Sequence, residues 1–181
     1  MPIVSADILI KLSIKTGSAG NSLAQASVNS SLGKYISTTQ ITDNTLNNLF
    51  DDISGDENAA STVDYRCIFV HNSHASLTYL SPKVWLSAEV SGGASIAIAI
   101  DNTAASAIGS ASAQAAEITT ETTAPSGVGA FSSPTTKGTG LSLADIPAGQ
   151  TRAIWVRRTA ANNAAINNDG ATISVEGDTA A

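Results

Sequence analysis

The clearest hydrophobic pattern near the start of the chain is a strict alternation. Positions 8, 10, 12 and 14 hold Ile, Ile, Leu and Ile, and the positions between them include Lys11 and Ser13. Because successive side chains of a strand point to opposite faces, this period predicts a half-buried strand over residues 7–14.

A polar stretch follows this strand. Residues 16–31 read TGSAGNSLAQASVNSS, in which Leu23 and Val28 are the only large apolar side chains. Such glycine- and serine-rich segments favour loops over packed elements. The pattern therefore predicts that residues 1–40 form an N-terminal strand and an extended arm, next to a domain that covers residues 41–181.

One helix is predicted at the start of that domain. Positions 46, 49, 50 and 53 hold Leu, Leu, Phe and Ile, a spacing that places all four on one face of a helix over about residues 43–53. Thr42 or Asp43 is a candidate N-cap, and Gly55 is expected to lie at the helix end.

From residue 60 onward the pattern is that of short strands separated by turns. The predicted strands cover residues 63–71, 83–90, 95–101, 151–159 and 171–176. The first of them carries apolar side chains on both faces, which is typical of a central strand buried on two sides. Gly92-Gly93 is a hairpin signal, and residues 102–130 show no apolar stripe and are expected to form loops.

These elements predict the fold class. Short strands punctuated by Gly, Pro and Asn, preceded by one short helix, are typical of a mainly β protein. The expected architecture is an antiparallel β-sandwich of the immunoglobulin-like or jelly-roll type, with an N-terminal strand and arm.

The composition of the chain disfavours several classes of function. Only 13% of the residues are charged, and the net charge is −6 with 9 Lys and Arg. So few basic residues disfavour sequence-independent binding to nucleic acid, which depends on cations that neutralise phosphates. No apolar run approaches the roughly 20 residues of a membrane-spanning helix, and no secretory signal is visible, so no membrane partner is expected. A surface of short Ser, Thr and Ala side chains suits packing into an array, because little side-chain entropy is lost at each contact.

Candidate catalytic and metal-binding groups are few. His71 and His74 form an H-x-x-H at the end of a predicted strand, where turn histidines are favoured over metal ligands. The acidic run at 51–58 does not match a calcium loop and favours a solvated helix end. Cys67 lies on the apolar face of a strand, so its thiol is expected to be inert. The sequence predicts no catalytic residue, no cofactor and no metal ligand.

Three aromatic residues are candidates for stacking on a sugar ring. They are Tyr79, Trp85 and Trp155. Both tryptophans lie in strand patterns, which favours packing in the core over an exposed binding platform.

Three sequence segments carry a resemblance to a known group of proteins. They are DYRCIFVHN at 64–72, KVWL at 83–86 and IPAGQTRAIWVRR at 146–158, and VEGDT at 175–179 adds to them. Together they resemble structural proteins from the virions of tailed bacteriophages, over roughly residues 41–181. The resemblance implies a β-rich, non-enzymatic protein located in the virion, where it is expected to act as a decoration or cement protein that clamps neighbouring major capsid subunits.

The attachment site is expected in the N-terminal arm. Its apolar anchors are Leu23, Val28, Leu32, Tyr35 and Ile36, and a segment of this kind becomes ordered when it lies in a groove of a neighbour. The expected partners are further copies of the chain, as a homotrimer, and the major capsid protein. Deletion of residues 1–35 is then expected to leave a folded domain that no longer attaches.

Two alternatives remain open at this point. A tail, adaptor or fibre component of the virion shares the composition and the resemblance. A carbohydrate-binding β-sandwich module is the alternative outside assembly, and it predicts that Trp85 or Trp155 is exposed in a groove.

Overall fold

The structure, a computed structural model, describes residues 2–17, 23–109 and 111–179. It contains two antiparallel sheets, with one short helix, α1 (Gly55–Ala60). The strands are β1 (Ile8–Ile14), β2 (Tyr35–Gln40), β3 (Val63–Asn72), β4 (Tyr79–Glu89), β5 (Ser95–Ile100), β6 (Ser106–Ala107), β7 (Leu141–Ser142), β8 (Gln150–Thr159) and β9 (Ala171–Thr179). The predicted fold class, mainly β with antiparallel sheets and one short helix, is confirmed.

The strands divide unequally between the two sheets. The large sheet has the order β2-β1-β3-β8-β5, and β6 pairs with the end of β8. The small sheet has the order β7-β4-β9. The Gly92-Gly93 turn joins β4 in the small sheet to β5 in the large one, so the predicted hairpin is wrong: the turn carries the chain between sheets instead of pairing its flanking strands.

The inner core lies between the two sheets. Its fully buried members include Ile68 of β3, Val84 of β4 and Ile154 of β8. Ile8 and Ile10 of β1 pack against it from the large sheet, as do Ile173 and Val175 of β9 from the small sheet. Burial of apolar side chains from both sheets is what holds a sandwich together.

A second core covers the opposite face of the large sheet. Phe69 and Trp155 pack there against what we call the loop layer, the described residues of 28–34 and 103–131. The two parts of this layer are bonded to each other, because Lys34 N donates to Ala116 O at 3.0 Å. As predicted, β3 is a central strand buried on both faces.

The second core buries the face of β1 that the sequence predicted to be open. Lys11 and Ser13 were expected on an open face, but they are 7% and 0% exposed. Ser13 is satisfied by the loop layer: its amide donates to Ser31 Oγ at 2.9 Å and its hydroxyl accepts from Gly33 N at 2.8 Å. The prediction of a half-buried β1 is therefore wrong, because loops supply the cover that alternation alone does not reveal.

The N-terminal region is part of the sandwich and not an arm beside it. β1 lies between β2 and β3, with Ile10 opposite Val70 and Ser13 opposite Ile36. The predicted division at residue 40 is corrected accordingly. Deletion of residues 1–35 removes an internal strand of the large sheet, so the truncated chain is not expected to fold and cannot test attachment separately.

The helix lies later in the chain than predicted. Residues 43–53 form an irregular segment with turns and bends, in which Asn44 and Asn47 adopt positive φ values of 55° and 56°, incompatible with a continuous right-handed helix. The helix begins after Ser54, whose hydroxyl accepts from Glu57 N while the Glu57 carboxylate accepts from Ser54 N at 2.7 Å. This reciprocal capping box gave a stronger start signal than the apolar spacing.

A buried carboxylate joins the loop layer to the sheet. Asp101, 1% exposed, accepts from Trp155 Nε1 at 2.9 Å and from Ala116 N at 2.8 Å through one oxygen. Its second oxygen accepts from Thr103 N at 2.9 Å. Three donors from different segments therefore depend on one side chain.

We predict that Asp101→Ala lowers the free energy of unfolding by about 3 kcal/mol, because the buried Trp155 indole N–H and two partly buried amides lose their acceptor. Urea denaturation measures this change. Asp52→Ala is the matched control, since Asp52 is exposed and has no hydrogen bond to another described side chain. Equal stability of the two variants would contradict the assignment of Asp101 as the link between loop layer and sheet.

Candidate functional site

The five predicted interface residues do not share one exposed surface. Leu32 and Ile36 are 8% and 0% exposed and belong to the second core. They contact their own domain, so the prediction that these two side chains are available to a neighbour is wrong. Leu23 is 44% exposed, and Val28 and Tyr35 are partly buried.

The segment that carries these residues is bonded to the edge of the large sheet. Thr38 N of β2 donates to Leu23 O at 2.9 Å, and Gln25 N donates to Thr39 Oγ1 at 3.0 Å. The segment therefore covers the outer edge of β2. Leu23 is the one large apolar side chain among the five that is exposed.

The two histidines have separate structural roles. His74 Nδ1 accepts from Ser76 N at 3.2 Å and from Leu77 N at 3.0 Å, which makes it a turn histidine, as predicted. His71 is instead buried in β3, on the same side as Phe69 and Lys11, so the prediction of a turn histidine is wrong for this residue. Loss of solvation, and secondarily the positive charge of Lys11, lowers the pKa of His71 to about 4.

The acidic residues at 51–58 do not form a common site, because each makes its own contact or is exposed. Asp51 accepts hydrogen bonds from Arg158 through its main-chain and side-chain oxygens. Glu57 caps α1, and the hydrogen bonds from Ser54 lower its pKa. Asp52 and Asp56 are exposed. Across the described residues, no three His, Cys, Asp or Glu side chains come together as a metal-binding group.

The aromatic and thiol candidates have different surroundings. Trp155 is fully buried in the second core, as the strand pattern predicted. Trp85 is partly exposed on the outer face of β4, because its neighbours Val84 and Leu86 point into the inner core. Cys67 is fully buried, and loss of solvation raises the pKa of its thiol well above the ordinary value.

A cluster of buried charges was missed by the sequence analysis. Arg158 of β8 lies directly opposite Asp64 of β3 and donates to its Oδ2 at 2.9 Å. Arg66 is fully buried and donates to Glu121 Oε2 at 2.5 Å. Both guanidinium groups lie over the Phe50 ring, at 5.2 Å for Arg66 and 4.7 Å for Arg158. Phe50, one of the apolar residues that suggested a helix, instead packs against two arginines.

The open surface of the sandwich lies on the small sheet. Its outer face carries Lys83, Trp85 and Ser87 of β4 beside Ser174 and Glu176 of β9. Ser174 Oγ donates to Ser87 Oγ at 2.7 Å across the two strands. This face is polar, with one partly exposed tryptophan, and holds no pair of catalytic groups that the contacts bring together.

A groove of about 380 Å³ runs along the edge of β9, between the two sheets. Apolar side chains from both sheets and from the segment before β1 line it. They are Ile3, Val4, Ile8, Ile10, Tyr79, Ile173 and Val175. The groove is thus an opening into the side of the inner core, which two of the β9 side chains help to form.

Comparisons with known proteins give no relative: no family model matches the chain, and no curated protein or solved structure matches it either. In the part of the chain that the structure describes, no helix has the length and apolar character needed to cross a membrane.

We predict that His71 makes the stability of the fold pH-dependent. Its pKa rises from about 4 in the folded chain to about 6.5 on unfolding, so the unfolded state binds the extra proton between these values. Stability is therefore lost as the pH falls through this window, by about 2 kcal/mol between pH 7 and pH 5.

The measurement is urea denaturation of the wild type and of His71→Gln at both pH values. The variant should lose less stability than the wild type, since other titrating groups are common to both proteins. An identical loss in the two proteins would show that His71 is not kept neutral by the fold.

We predict that Arg158→Met destabilises the fold by about 3–5 kcal/mol, because Asp64 then keeps a buried charge without its cation. The double variant Arg158→Met/Asp64→Leu should recover part of this loss, since neither charge remains. Lys137→Met is the control: Lys137 pairs with Glu176 at the surface, where both side chains are 45% and 60% exposed, and no change in the urea midpoint is expected. No recovery in the double variant would contradict the pairing.

Proposed function

We propose that this chain is a non-enzymatic structural protein of a tailed-bacteriophage virion. The observation that carries the proposal is that several of the few charged side chains are buried and contact other parts of the same chain. Arg66, Arg158 and Asp101 are buried and bonded within the fold. The exposed positions are rich in Ser, Thr, Asn and Ala, which suits a surface that makes repeated protein contacts.

The resemblance supports the same proposal through particular strands. Its segments at 64–72, 83–86 and 146–158 coincide with β3, β4 and β8, the strands that build the inner core. The segments that carry the resemblance therefore belong to the strands of the folded core. The resemblance does not rest on a catalytic motif.

Within the virion, the role that we propose is decoration or cementing of the capsid. In this role the chain forms a homotrimer and binds the major capsid protein at contacts between neighbouring subunits. A sandwich with many internally bonded loops provides a rigid body for such a clamp. Attachment then depends on exposed surface, since Leu32 and Ile36 are part of the second core.

The test is the copy number of this chain in purified particles, measured by mass spectrometry against an isotope-labelled copy of the protein. A decoration protein is expected at hundreds of copies per particle. Tens of copies or fewer would assign the chain to a tail, adaptor or fibre instead. Absence from particles, together with a strictly monomeric state in solution, would contradict the virion proposal as a whole.

One observation favours a second candidate function. Trp85 is partly exposed on the polar outer face of the small sheet, beside Ser174 of β9. Aromatic rings beside hydroxyl groups suit carbohydrate binding. For this carbohydrate-binding module, a glycan array should show binding that Trp85→Ala abolishes, whereas a decoration protein should bind no glycan.

A further inference from the structure

We propose that the bare edge of β9 accepts an extended strand from another protein, whose alternate apolar side chains fill the groove beside it and whose intervening side chains are basic. The inference does not depend on a role in the virion. It follows from the backbone edge, the groove and the charges of β9.

The backbone of β9 has one unused edge. The strand pairs with β4 from Tyr79 opposite Thr179 to Glu89 opposite Ala171. Among the described residues, no backbone hydrogen bond or bridge reaches the other edge of β9. Along these nine residues, every second one directs its amide and carbonyl groups to the free edge, and such a row of unpaired groups is a template for strand addition.

The other long edges of the two sheets are covered. Leu23 O bonds to β2, and Ser132 exchanges two hydrogen bonds with Ile98 of β5, at 2.8 and 3.0 Å. The edge of β4 that faces away from β9 is covered by β7 and by Pro134. The carbonyl oxygen of Pro134 accepts from Leu86 N at 2.8 Å. In the described part of the chain, β9 is therefore the one long strand with an open side.

The groove specifies one face of the incoming strand. Ile173 and Val175 of β9 point toward the inner core, and Ile8 and Ile10 of β1 lie across the groove from them. A strand added beside β9 would place every second side chain over these four residues. Apolar side chains at those positions would complete the core on this side.

The charges specify the other face. The two ionisable side chains of β9 are Glu176 and Asp178, both acidic and both exposed. Lys137 pairs with Glu176 at 2.6 Å, whereas Asp178 has no ion pair among the described residues. Because directly opposed like charges destabilise a strand pair, this edge favours Lys or Arg on the partner and disfavours a second copy of the acidic β9.

Selection from a display library of random nine-residue peptides on the full-length chain tests the proposal. Enriched peptides are expected to alternate apolar residues with polar positions that are rich in Lys and Arg. Enriched peptides without alternation, or no enrichment, would overturn it.

Two variants with the same change in net charge locate the site. Glu176→Lys/Asp178→Lys should weaken binding of an enriched peptide at least tenfold in fluorescence anisotropy, and a version of that peptide with Glu in place of its basic residues should then regain affinity. Asp43→Lys/Asp52→Lys, with both changes at exposed positions outside β9, should leave affinity unchanged. If both variants weakened peptide binding equally, the effect would be due to net charge alone, and the assignment of the binding site to β9 would be wrong.

Hydrogen exchange shows whether the backbone pairs. Bound peptide should slow exchange of amides within 171–179, because the free edge then acquires hydrogen bonds. Protection elsewhere would overturn the proposal. If the protein alone forms a concentration-dependent dimer with β9 amides protected, the occupant is a second copy and the assignment to a basic partner is wrong.

Discussion

The pairing of β3 with β8, with both of its faces buried, is the constraint on which the remainder of the structure depends. Nine registered pairs, from Val63 opposite Thr159 to His71 opposite Thr151, place apolar side chains alternately in the inner and the second core. One face is covered by the small sheet. Since this small protein has no third sheet or long helix among its described elements, loops must cover the other face.

A cover made of loops has to satisfy its own backbone groups, and this requirement explains the buried polar residues. Asp101 accepts from the loop layer and from Trp155. Gln114, 1% exposed, accepts from Ile36 N at 3.1 Å and so connects the layer to β2. Gly33 lies so close to Ala116 O and the Trp155 ring that any larger residue would collide with them. These polar contacts, together with the apolar contacts of the second core, therefore determine where this layer lies.

The sequence predicted what depends on local periodicity and missed what depends on tertiary contacts. Alternation identified β1, short apolar runs between turn signals identified β3, β4, β5, β8 and β9, and the lack of an apolar stripe identified the loops at 102–130. The spacing around Phe50 suggested a helix, but Leu49 and Phe50 pack against the inner core from an irregular segment and Leu46 is exposed. A cross-strand partner such as Asp64 for Arg158 has no signature in a single sequence, because register is decided only when the sheet forms.

The covered edges of the two sheets also limit how the molecule associates with other proteins through its strands. Covered edges on β2, β4 and β5 prevent a second sheet-extending contact in the described part of the chain. A body with one open edge offers one site for strand addition, and any further growth then depends on the outer edge of the incoming strand. Each copy of this chain therefore has one acceptor edge, whereas open-ended stacking into fibres needs two open edges on every copy.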